Sequence, residues 1–99
     1  MNYKLNISYD GTDFSGWQIQ PNARTVQGDL QMAIHLVFNN DKINICGSGR
    51  TDAGVHALNQ IANFNINTKM SVQQIKNALN SKLLNDVLIS FTSQFSRTQ

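Results

Sequence analysis

Tyr3-Lys4-Leu5-Asn6-Ile7-Ser8-Tyr9 alternates apolar and polar side chains without a break. Successive side chains of a strand point to opposite faces, so a period of two describes a strand with one buried and one open face. Asp10-Gly11-Thr12-Asp13 ends the pattern with turn-forming residues. A half-buried strand belongs to a sheet covered on one side, and the rest of the chain has to supply the cover.

Downstream, Thr25 is placed as an N-cap, with Asp29 in the first turn, where a helix favours negative charge. Val26, Leu30, Ala33, Ile34, Val37 and Phe38 then recur at helical spacing as one apolar stripe, which Asn39-Asn40-Asp41 ends. Ile43 and Ile45 are expected to begin a second strand that runs into Gly47-Ser48-Gly49, and residues 58 to 66 to form a third. Ser71 with Gln74 three residues on is a capping box. It opens a second helix carrying Val72, Ile75, Ala78, Leu79 and Leu83. Val87, Ile89 and Phe91 alternate as a fourth strand. The order βαββαβ predicts an α+β, ferredoxin-like domain over residues 1–99, an antiparallel sheet with both helices packed on one face. The two long loops, residues 10 to 24 and 47 to 56, follow the first and second strands, and long loops on a rigid sheet are where function concentrates.

Composition narrows the classes. The chain of 99 residues has one cysteine, Cys46, which excludes an internal disulfide and two-cysteine metal motifs. Its apolar neighbours suggest a small buried side chain. No apolar run follows a charged start, and none approaches the roughly 20 residues of a membrane helix. A cytoplasmic protein without membrane contact is expected. Eight Lys and Arg stand against six Asp, a net charge of +2 that is compatible with a polyanionic partner. Asp10 and Asp13 alone do not make a metal site, and no metal is expected. Phe14 and Trp17 are expected either to stack on a base or, at least as readily, to pack the long loop against the sheet.

Gly47-Ser48-Gly49-Arg50-Thr51-Asp52-Ala53-Gly54-Val55-His56-Ala57 is the most informative stretch. Its glycines let the backbone fold tightly and approach a ligand, and it brings a cation, a hydroxyl and a carboxylate together within three residues. Read as residues alone, it is either a glycine-rich turn or a ligand-binding loop. The stretch resembles, without a gap, the signature of the TruA family of tRNA pseudouridine synthases. Tyr9 to Gln20 is similar to that family's first motif. Thr25-Val26-Gln27-Gly28, Asn63-Phe64 and Ala78-Leu79-Asn80 follow in the same order. The chain departs from the family pattern at Leu83-Leu84, where Leu-Pro is usual, and at Thr92 and Gln94, set against a histidine and an arginine.

The resemblance implies an enzyme that isomerises uridine to pseudouridine in the anticodon arm of tRNA, works as a homodimer and needs no cofactor. It makes Asp52 the catalytic carboxylate. Arg50, two residues away, is expected to fill the space of a flipped-out base or hold the backbone phosphate, to form a salt bridge that orients Asp52, or to do both. Thr51 positions the loop, Arg24 and Lys42 are candidate phosphate contacts, and His56 anchors the start of the third strand. Family members continue into a second half with further active-site residues. The chain is therefore expected to be the N-terminal part of such an enzyme, inactive alone. The alternative is a non-catalytic RNA-binding module.

Overall fold

The computed structural model describes residues 1–47 and 57–95. Its strands are β1 (Asn2–Tyr9), β2 (Cys46–Gly47), β3 (Ala57–Asn65) and β4 (Val87–Phe95); its helices are α1 (Val26–Phe38) and α2 (Val72–Lys82). A 3-10 turn, Gly11–Asp13, follows β1. The strands form one antiparallel sheet in the order β2-β3-β1-β4, as the ferredoxin-like expectation requires. Tyr3, Leu5, Ile7 and Tyr9 are buried on one face of β1. There they join Val26, Leu30, Ala33 and Ile34 of α1, Ile75 and Leu79 of α2, and Ala62, Phe64 and Ile89 from the neighbouring strands in a single core. Tyr3 and Phe64 stack at 5.7 Å between ring centroids.

Both helices start where their caps predict. Thr25 Oγ1 accepts the Gly28 N–H at 3.1 Å. Ser71 and Gln74 close a reciprocal capping box, with Gln74 N donating to Ser71 Oγ at 3.2 Å and Ser71 N to Gln74 Oε1 at 2.8 Å. Helix α1 ends at Asn39 in the left-handed conformation, whose N–H returns to the His35 carbonyl.

Three expectations need correcting. Among the described residues the second strand begins at Cys46 rather than Ile43, because Ile43 and Ile45 bond to a helix; its expected run into Ser48 and Gly49 lies outside them. Gln31 Oε1 accepts from Ile45 N at 3.0 Å, Gln31 Nε2 donates to the Ile43 carbonyl, and Gln27 Nε2 donates to the Ile45 carbonyl at 3.0 Å. The two isoleucines are still buried, so their apolar spacing was real and only their backbone partners differ. Cys46 is exposed, because the residue after inward-facing Ile45 points to the opposite face.

The third correction concerns β4. Asn6 pairs with Phe91 but Ile7 with Ile89, so Ser90 is an extra residue in the ladder. This bulge reverses the alternation beyond it. Phe91 turns outward, 59% exposed, and Thr92 turns into the core at 5%. Ser90 Oγ donates to the Asn6 carbonyl at 3.1 Å, and the Asn80 side-chain amide both accepts from Ile89 N (2.9 Å) and donates to Ile89 O (3.0 Å). Irregular backbone on this outer strand is thereby paired.

Candidate functional site

The glycine-rich loop hangs between two described residues, Gly47 at the end of β2 and Ala57 at the start of β3. The Cα partner of Ala57 is Tyr9, the last residue of β1, and that of Gly47 is Ala62. The residues of the first motif pack beside these stems. Trp17 is 3% exposed, and its indole lies so close over Gly47 that a Cβ there would sit 2.5 Å from Cε2 and Nε1. The Tyr9 ring lies 6.5 Å from Trp17, and Phe14 meets Tyr9 edge-on at 6.3 Å. Of the two readings of Phe14 and Trp17, packing is the one their burial matches.

Backbone geometry turns Trp17 inward. Gly16 has φ 98°, a left-handed conformation that side chains resist. The Gly16 and Trp17 carbonyls then accept the Val26 and Gln27 N–H groups at 3.2 and 2.9 Å. With Gly28 N on Thr25 Oγ1 and Asp29 N on the Thr25 carbonyl at 3.0 Å, all four leading N–H groups of α1 are occupied. The N–H groups of Val26 to Asp29 are therefore not free for a phosphate. Gln27 ties the loop to the sheet from the side, accepting from Ile19 N at 3.0 Å while donating to Ile45 O.

Arg24 closes the far end of the long loop. Four of its five N–H donors are engaged: Nε and Nη2 with Asp29 at 3.2 and 2.8 Å, and Nη1 and Nη2 with Asp86, both at 2.9 Å. The guanidinium carbon lies 4.2 Å above the Phe14 ring, a cation–π contact. The hydrogen bonds to Asp86, then those to Asp29, hold the guanidinium pKa above its ordinary value. Lys42 is exposed beyond α1. Asp10 accepts from Thr12 N at 3.0 Å and from its hydroxyl at 2.6 Å, as a turn residue does. Among the described residues no three His, Cys, Asp or Glu side chains gather as a metal site, and no helix is long and apolar enough to cross a membrane.

Arg50, Thr51, Asp52 and His56 lie outside the described residues. What the structure adds is the footing of their loop. Sequence reading missed Asp86 as a partner of Arg24, from which it is separated by 62 residues. It also missed the closeness of Trp17 to Gly47. Gln27 stood in a matched motif, but nothing in a sequence says that its amide spans two segments.

The class is an α+β sheet domain whose sequence carries Gly-Arg-Thr-Asp between β2 and β3. The profile of the tRNA pseudouridine synthase family matches residues 6–94, and the chain belongs to that family. It is 54% identical over 89 residues to tRNA pseudouridine synthase A of Brachyspira hyodysenteriae, covering 89% of this chain and 35% of the relative. To the enzyme of the same name from Limosilactobacillus reuteri it is 52% identical over 89 residues, 88% of this chain and 35% of the relative. To that of Caldicellulosiruptor saccharolyticus it is 48% identical over 95 residues, 96% and 38%. The chain thus spans little more than a third of the length of these relatives.

Proposed function

We propose that this chain is the part of a tRNA pseudouridine synthase that carries the catalytic carboxylate, Asp52. The observation behind this is the family match over residues 6–94, which contains the whole glycine-rich loop. The reaction is an isomerisation: the bond from uracil nitrogen to the ribose breaks, the base turns, and a bond from ring carbon to the same ribose carbon forms, while the ring carbon's proton is lost and the nitrogen gains one. Atoms and electrons balance without a redox partner, so the reading includes neither metal nor organic cofactor. Asp52 acts as nucleophile or base beside the sugar. A carboxylate of ordinary pKa, about 3.9, is ionised at neutral pH.

A stacked uridine is out of reach, so the target has to be flipped out, at a cost of a few kcal/mol. Arg50 is assigned to the vacated space or the adjoining phosphate, where a planar guanidinium stacks and hydrogen-bonds at once. Thr51 positions the loop. Arg24 enters as a brace for the long loop rather than a phosphate ligand, since Asp29 and Asp86 already hold its donors. The substrate is the anticodon arm of tRNA, the working enzyme a cytoplasmic homodimer, and the remainder of the family's length supplies further site residues.

Release of tritium from uracil-labelled tRNA tests the reading. Full-length protein carrying this sequence is expected to release tritium, its Asp52→Ala variant and the 99-residue chain alone to release none. Activity that survives Asp52→Ala would remove the loop from the chemistry.

A further inference from the structure

Two segments far apart in sequence meet at the residues that flank the Asp52 loop. The upstream stem of that loop, Gly47, lies against the Trp17 indole, with all three nearest neighbours of an added Cβ being indole atoms at 2.5 to 2.6 Å. The downstream stem, Ala57, pairs with Tyr9, whose ring contacts the same indole. Gln27 joins the chain on both sides of this contact, from Ile19 just after Trp17 to Ile45 just before Gly47. Trp17 itself is 3% exposed and held by the Gly16 turn and the α1 N-terminus, so it cannot move aside without disturbing both.

We propose that Trp17 is a positioning residue for uridine isomerisation: its buried indole sets where the Asp52 loop leaves the sheet at Gly47, and so where the carboxylate stands. This rests on the reading of Asp52 as the catalytic group. A side chain this buried is not offered to RNA for stacking; Trp17 acts through the backbone of residues 45 to 47. The glycine at 47 is required by the indole, and the pair is a matched bump and hollow. Catalytic placement is steep in distance, a displacement of about 1 Å costing on the order of 100-fold in rate.

The test uses full-length protein, with tRNA kinetics for Gly47→Ala, Trp17→Phe and the double variant. Gly47→Ala drives a methyl into the indole and is expected to lower kcat by about 30- to 100-fold. KM for tRNA should stay within about threefold, since phosphate contacts elsewhere carry most of the binding. Trp17→Phe removes Nε1 and the fused ring atoms that the methyl meets. The double variant is therefore expected to recover at least about tenfold of the lost kcat, a rescue that general destabilisation does not produce. Additive losses in the double variant, a kcat that merely follows the loss of folded enzyme as the thermal midpoint falls, or a fully active Gly47→Ala enzyme would each overturn the proposal. Full activity in Gly47→Ala beside an inactive Asp52→Ala overturns this inference alone. An inactive wild type, or an active Asp52→Ala, overturns the functional reading and this inference with it.

Discussion

Arg24 and Cys46 show what single side chains decide here. Arg24 answers two carboxylates and an aromatic face together, drawing the end of the long loop, the first turn of α1 and the turn before β4 into one cluster. Its partners are about a quarter exposed, which tempers each ion pair, but the forked geometry uses several donors together. Arg24→Ala is expected to lower the unfolding free energy by about 1–2 kcal/mol in urea titration, because two acidic groups then face each other without a cation. Arg24→Lys should recover less than half of that, since a point charge cannot form both pairs. Cys46 gives a chemical check of the late start of the second strand. Its thiol is exposed, so a thiol-specific reagent should modify it fully in the folded chain without denaturant. Protection until unfolding would mean that Cys46 faces the core.

At the level of elements, the bulge in β4 makes the sharpest claim. A regular strand would put Ile89 and Phe91 on the same face, whereas the extra Ser90 sends them to opposite faces. Ile89→Ala should therefore cost about 2–4 kcal/mol, as core truncations do, and Phe91→Ser less than about 0.5 kcal/mol. Denaturant midpoints of the two variants separate the geometries, and equal large losses would rule the bulge out. The bulge also marks where sequence reading stops. Periodicity and caps are local, so Thr25, Ser71, the stripe of α1 and the alternation of β1 were legible from neighbours a few positions away. The bulge lies opposite Asn6 and Ile7, and the late start of β2 goes with Gln27 and Gln31, partners that only the fold brings near. The family was legible from the residues of the Asp52 loop and their resemblance. The footing of that loop on Trp17 was not, since a buried tryptophan in a long loop reads equally well as plain packing.

Across the whole molecule, antiparallel order gathers the informative segments at one end of the sheet. The end of β1 and the starts of β3 and β4 meet there: Tyr9 pairs with both Ala57 and Val87, and Asp10 N donates to the Asp86 carbonyl at 2.9 Å. The start of α1 is tied to the same end through Gly16 and Trp17. Charge is not gathered in this way. The cations are scattered along the chain and the net charge is only +2, so this portion alone presents few groups to RNA. The 99-residue chain is expected to bind tRNA in the non-specific range, with Kd of about 10⁻⁴–10⁻⁶ M, and to weaken as salt rises from about 50 to 200 mM. The slope of log affinity against log salt counts phosphate contacts at about −0.9 each on duplex and −0.7 on single strands. Removing a phosphate ligand should therefore flatten the slope by about one contact, while removing a cation already matched by carboxylates should not. Anisotropy titrations of Arg50→Ala and Arg24→Ala apply that distinction. Arg50→Ala should lose about one contact, and Arg24→Ala should keep the parent slope at temperatures where it remains folded. A flattened slope for Arg24→Ala would make that residue a phosphate ligand after all, its fork released from Asp29 and Asp86 when RNA arrives.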